Sequence, residues 1–138
     1  MKDEIPEARQ PFQRCGSCGF AWSDWQEFIL DSRVRMLGFQ AILNVPDANL
    51  LVFEHRCGSS VSILAKRLRP MVPELESDKE EKILFDSETC HHFCRSLENL
   101  EVCDRPCANA RDRRLIRMVL EMKRQARRRA PRQKQSGI

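Results

Sequence analysis

The chain has 138 residues, 41% hydrophobic and 32% charged, and a formal net charge of +4. That length holds one domain, or one domain with a small subdomain and tails, and its apolar fraction permits only a modest core. No apolar run approaches the roughly 18 residues of a membrane span, and the polar opening M-K-D-E-I-P-E-A-R has no secretory apolar segment. The expectation is a soluble, cytoplasmic protein that makes no membrane contact. No catalytic signature is present, so a non-catalytic role is expected.

Residues 1–13 carry two prolines and no hydrophobic period, and read as a disordered lead-in. Cys15, Cys18 and Gly19 follow in R-C-G-S-C-G. A C-x2-C-G turn can aim two sulfurs at one ion, and glycine supplies the positive φ that such a turn uses. C-G-S-C also has the spacing of a redox dithiol, but those dithiols open a helix after a buried strand, a context missing here. Ser23 to Gln26 has capping-box spacing, with Trp25, Phe28 and Ile29 at helical intervals, which predicts a short helix from about Asp24 to Leu30.

Arg33 to Leu43 reads as a strand whose apolar phase shifts after Gly38, and a bulge at Leu37-Gly38 would restore a common face. The turn signal Asn44 to Asn49 then separates it from a second strand, Leu50 to His55, giving a hairpin. That strand runs into His55, Cys57 and Gly58, and Cys57-Gly58 repeats the Cys18-Gly19 pair.

On these residues the N-terminal half, about 14–65, resembles a zinc ribbon, in which two knuckles on β-hairpins clamp one tetrahedral zinc. The resemblance would put a cysteine where Glu54 stands. His55, one residue later, is the best candidate for the fourth ligand beside Cys15, Cys18 and Cys57, since imidazole is a normal zinc donor with longer reach. A structural histidine at a strand end is the alternative.

Ser60 to Leu68 reads as a further strand. Residues 70–82 read as an acidic, Pro-containing linker, with one helical turn begun by Ser77 and Glu80. Beyond it, Cys90, Cys94, Cys103 and Cys107 form two C-x3-C pairs within eighteen residues, joined by His91 and His92. Seven cysteines cannot all pair within one chain, and reducing compartments disfavour disulfides, so three close pairs point to metal. Buried free thiols would account for one or two.

Cys90 and Cys94 lie one helical turn apart, and Pro106 suits the first turn of a helix that opens at Asp104-Arg105-Pro106 and includes Cys107. The segment is therefore expected as a helix-turn-helix stapled by a second, four-cysteine zinc site. An iron–sulfur cluster takes the same ligands, and His91 or His92 could replace a cysteine.

From Arg111 to the end there are eleven Lys/Arg against two acids, whereas the first 110 residues carry 13 basic and 18 acidic groups. The positive charge thus belongs to the C-terminus. Leu115, Met118, Val119 and Met122 make an apolar stripe on this basic helix.

The expected fold class is α+β: a small zinc-ribbon-like β-hairpin domain (14–69), the linker (70–82), then the cysteine-rich helix-turn-helix segment with a long basic C-terminal helix (83–129). Residues 130–138 join 1–13 as disordered tails. The expected function is a zinc-binding interaction or regulatory module that meets another protein or nucleic acid through Arg124, Arg127, Arg128, Arg129 and Arg132. The competing reading is an iron–sulfur or thiol-based redox sensor at Cys90–Cys107. A zinc enzyme using His55, His91 or His92 would need a carboxylate base that no motif supplies.

Overall fold

The computed structural model describes residues 10–42, 45–80, 82–84 and 87–129, the side chains of 77 and 80 excepted. Leu43, Asn44, Arg132 and the two expected tails, apart from residues 10–13, lie outside them. The fold is α+β: two small antiparallel sheets and one long C-terminal helix.

Strands β1 (Gln13–Arg14) and β2 (Ala21–Trp22) form the first sheet and hold the Cys15–Gly19 turn between them. Helix α1 (Trp25–Leu30) follows at once. Its capping box sits one residue later than the sequence spacing suggests. Asp24, in extended conformation, accepts from the Glu27 amide at 2.8 Å, while Glu27 Oε1 accepts from the Ser23 amide at 2.7 Å. An ionised carboxylate caps orphan amides as well as a hydroxyl does.

The second sheet has the order β3 (Val34–Gln40), β4 (Leu50–His55), β5 (Ser60–Leu64). The register slips between Met36 and Gly38, so the expected bulge is present. It returns Phe39 to the buried face that Val34 and Met36 occupy. Gly38 is required there for a second reason: a Cβ would lie 2.1 Å from the Leu97 carbonyl oxygen. Leu97 reaches this edge to accept from the Phe39 amide at 2.9 Å.

Along β4, Leu51, Phe53 and His55 point inward, as the two-residue period of a strand requires. Glu54 points outward to Arg35. β5 ends at Leu64 rather than running to Leu68. Two 3-10 turns, Ala65–Arg67 and Arg69–Met71, replace the expected strand end. The turn tucks Leu68 into the core, fully buried, and Pro70 has no amide for a ladder.

Helix α2 (Ala108–Arg129) lays Leu115, Ile116 and Val119 into the same cluster as Trp22, Phe28, Phe39, Phe53 and Ile63, all fully buried. Each contributes about 1.5–3 kcal/mol through burial. Edge-to-face contacts at 4.9 Å chain Trp22 to Phe28 and Phe28 to Phe53. The apolar stripe read from the sequence thus docks on the body.

A buried polar network fastens the same helix. Asn49 Nδ2 donates to Asn109 and to Asp112, each at 2.9 Å, and Arg69 grips Asp112 with Nε at 2.8 Å and Nη2 at 3.0 Å. The stretch read as a linker contains a 3-10 turn, Glu76–Glu80, and its buried Asp78 pairs with Arg114 of α2.

The expected helix through Cys90 and Cys94 is not formed. That segment carries one short 3-10 turn, Phe93–Arg95, and His92 takes a left-handed conformation, φ 65°. So short a helix needs an apolar face to dock, and C-H-H-F-C-R-S-L-E-N has no continuous one. There is therefore no helix-turn-helix. Helix α2 also starts at Ala108, two to four residues later than expected, and Cys107 caps it from outside, its carbonyl accepting from the Arg111 amide at 3.1 Å.

Candidate metal centre

Two turns build the site. In the first, the Cys15 amide bonds the Phe20 carbonyl at 2.7 Å and the Gly19 amide bonds the Cys15 carbonyl at 3.0 Å, with Gly19 at φ +82°. In the second, the His55 amide bonds the Ser59 carbonyl at 2.9 Å and the Gly58 amide bonds the His55 carbonyl at 2.8 Å, with Gly58 at φ +97°. Each glycine lets the chain reverse where an L-residue would be strained.

The donor atoms of Cys15, Cys18, His55 and Cys57 all lie within 4.8 Å of one another. His55 Nδ1 stands 3.3 Å from Cys57 Sγ and 3.6 Å from Cys18 Sγ, and Cys15 Sγ stands 3.6 Å from Cys57 Sγ. A tetrahedral ion bonded at about 2.0–2.3 Å to such donors would separate them by about 3.5–3.8 Å. These spacings fit that geometry to within a few tenths of an ångström. The group can hold a metal ion.

The electrostatics point the same way. The Ser59 hydroxyl lies 3.1 Å from both Cys15 Sγ and Cys57 Sγ. That hydroxyl, with the Cys18 and Ser17 amides, lowers the Cys15 pKa to about 5, and the Ser59 hydroxyl and amide lower that of Cys57. The Phe20 amide favours the Cys18 thiolate, but desolvation and the neighbouring sulfurs outweigh it and the pKa rises. Burial acts to lower the His55 pKa, yet the Cys57 and Cys15 sulfurs outweigh burial and raise it. Electron-rich donors crowded this closely need protons or a cation between them.

His55 Nε2 is buried and has no hydrogen-bond partner. Phe20 and Trp22 flank the ring, with centroids at 6.0 and 5.1 Å. A proton on Nε2 is the tautomer that metal binding at Nδ1 would select. Nδ1 is then left with its lone pair facing three sulfurs, as a ligand requires.

The second cysteine group is arranged differently. Cys90, Cys94, Cys103 and Cys107 all line one cavity of about 20 Å³ beside the start of α2. Among the described residues, however, only the Cys15 group draws at least three donors within 4.8 Å. The His92 amide donates to Cys90 Sγ and the Leu84 amide to Cys107 Sγ, each at 3.2 Å, and the Arg105 amide bonds Cys103. Desolvation raises the pKa of Cys94 and of Cys103. His91 turns to Asp104 at 2.8 Å and stacks on Phe93, while His92 is exposed.

Two contributors were not visible in the sequence. Ser59 bridges two sulfurs; its position two residues after Cys57 in a turn was the available signal. Arg113, fully buried, donates to the Glu101 carbonyl at 2.7 Å and to Asn99, and reaches Cys94 Sγ at 3.7 Å. Nothing local distinguishes it from its neighbouring arginines. Of the basic group, Arg124, Arg127, Arg128 and Arg129 are exposed on α2, and Arg124 pairs with Glu121.

No helix among the described residues is long and apolar enough to cross a membrane. The fold and site define an α+β protein with a three-cysteine, one-histidine group able to bind a metal ion. No family model, curated protein or solved structure matches the chain.

Proposed function

We propose that the protein is a non-catalytic zinc-binding module whose two knuckles work as those of a zinc ribbon do. The observation that carries this reading is the convergence of Cys15, Cys18, His55 and Cys57 to within 4.8 Å. Three thiolates and one imidazole complete a tetrahedral shell and leave no position for substrate, which is the character of a structural zinc site. The ion joins the first turn to the β4–β5 turn and so locks the small β1–β2 sheet to the larger one. Elemental analysis of purified protein tests this. Zinc content should fall by one ion per chain in Cys15→Ser/Cys57→Ser, and zinc content unaffected by that change would overturn it.

The module's partner on this reading is a polyanion, nucleic acid foremost. Arg124, Arg127, Arg128 and Arg129 are exposed on the last turns of α2, and Arg132 follows them in the sequence, while the first 110 residues are net acidic and would be repelled. Contacts of this kind act through counterion release and carry little sequence preference. Binding to duplex DNA and single-stranded RNA should fall steeply with salt. Replacing the four helix arginines by alanine should remove it without changing metal content. Binding that survives that replacement would redirect the proposal to another surface.

A further inference from the structure

We propose that Cys90, Cys94, Cys103 and Cys107 form a second metal site, which closes around one tetrahedral ion and fastens residues 87–107 to the body of the protein. The four side chains come from two pairs separated by eight residues, yet all line one cavity at the mouth of α2. Its volume, about 20 Å³, exceeds the roughly 10–15 Å³ that a single water-sized body needs. An iron–sulfur cluster, which brings its own inorganic sulfurs, needs far more. The space suits a lone ion.

The backbone around these cysteines repeats what is seen at the first site. There, amides two residues ahead hydrogen-bond the sulfurs of Cys15, Cys18 and Cys57. Here the His92 amide does so for Cys90 and the Arg105 amide for Cys103, the leading cysteine of each C-x3-C pair. His92, whose amide makes that contact, sits at φ 65°, a conformation that a residue with a side chain adopts only at some cost. Cys107 receives the Leu84 amide and caps the N-terminal end of α2, where the helix favours negative charge. Four thiolates around a divalent ion leave two negative charges. Arg113, buried with a guanidinium nitrogen 3.7 Å from Cys94 Sγ, and Arg105 at the cavity wall stand where they would offset that charge.

Apart from the Phe39–Leu97 hydrogen bond and the Arg113 contacts to Asn99 and Glu101, the segment is lightly held. No described residue between 82 and 107 is buried, and its regular structure amounts to one 3-10 turn. Only Cys94 and Leu100 of this stretch pack against the core, each partly buried, and a metal cross-link would add the hold that so little burial leaves wanting. The sulfurs stand further apart than in the first group, so binding draws them inward.

The full-length wild type, reconstituted with zinc, should bind two ions per chain. Cys90→Ser/Cys94→Ser should bind one, and protease should then cut between residues 87 and 107 at least tenfold faster. Loaded with cadmium-113, the wild type should give two resonances: one for four sulfurs, and one at higher field for three sulfurs and a nitrogen. That measurement needs no variant to fold. One zinc and one resonance, lost with Cys15→Ser/Cys57→Ser, would overturn the second site and leave the first standing. One zinc lost only with Cys90→Ser/Cys94→Ser would do the reverse. Visible absorbance with stoichiometric iron and sulfide would replace the lone ion by a cluster and overturn the proposal as stated.

Discussion

His55 meets Trp22 edge to face, ring centroids 5.1 Å apart at 80°, so the one nitrogen donor of the candidate metal centre is packed directly against the largest side chain of the core. Metal binding and core packing therefore report on one another. His55→Ala should weaken zinc by about a hundredfold or more, measured by competition with a chromophoric chelator, because losing a ligand costs more than losing an outer-shell partner. His55→Cys should keep most of the affinity. In Trp25→Phe protein, where Trp22 is the only indole left, removing the metal should change the emission. An unchanged spectrum together with lost zinc would show that the ring and the site are uncoupled.

Arg113 is the second junction, joining α2 to the cysteine-rich segment through the Glu101 and Asn99 carbonyls and lying near Phe39 and Phe93. Arg113→Met should cost about 2–4 kcal/mol in urea unfolding, since it strands acceptors that the fold has partly desolvated. Arg113→Lys should recover little of that, because an ammonium cannot span the same fork of acceptors. A loss below about 0.5 kcal/mol would mean that water replaces the guanidinium without penalty.

Lys123 offers a prediction in pH. Its ammonium donates to the Val34 carbonyl at 2.6 Å and to the Asp31 carbonyl at 3.3 Å, and burial lowers its pKa to about 8. The folded amine therefore gives up its proton near pH 8, whereas the unfolded chain keeps it to about pH 10.4. The unfolded state binds more protons in that window, so this residue's contribution rises with pH there, by up to about 3 kcal/mol. The stability difference between wild type and Lys123→Met should move in favour of the wild type from pH 8 to 10. A flat difference would show that the amine titrates alike in both states.

Gly38 is the most closely packed of the described glycines. Alanine there would drive a methyl group against the Leu97 carbonyl, 2.1 Å away, and its Cγ, 2.7 Å away. Gly38→Ala should cost about 1–3 kcal/mol and accelerate hydrogen exchange at the Phe39 amide. The Cys15 group, on the far end of the sheet, should keep its metal. Slow exchange at Phe39 in the variant would refute the contact.

Strands and turns were readable where local chemistry decides them. The limits of β4 followed from Leu50 to His55 alone, and the bulge from the phase shift at Gly38. His55 was legible as a candidate fourth donor from its imidazole and its place beside Cys57, and the period-two alternation with Leu51 and Phe53 turns it inward while Glu54 faces solvent. Spacing misled at Cys90 and Cys94, where a separation of four residues fits a helical turn equally well as a loop around a cavity. The influences there, Arg113 and the Phe39 amide that binds the Leu97 carbonyl, act from far along the chain. Periodicity cannot report them.

The hydrogen bond from the Phe39 amide to the Leu97 carbonyl has a consequence for how the protein behaves in bulk. β3 is an outer strand of its sheet, and Leu97 occupies part of its free side. An outer strand left open is a template for pairing with another chain. If the ion among Cys90, Cys94, Cys103 and Cys107 keeps Leu97 in place, stripping it exposes that side of the sheet. Chelated protein should then self-associate with a concentration dependence that the metal-loaded chain lacks, so the cysteines would guard solubility as well as shape.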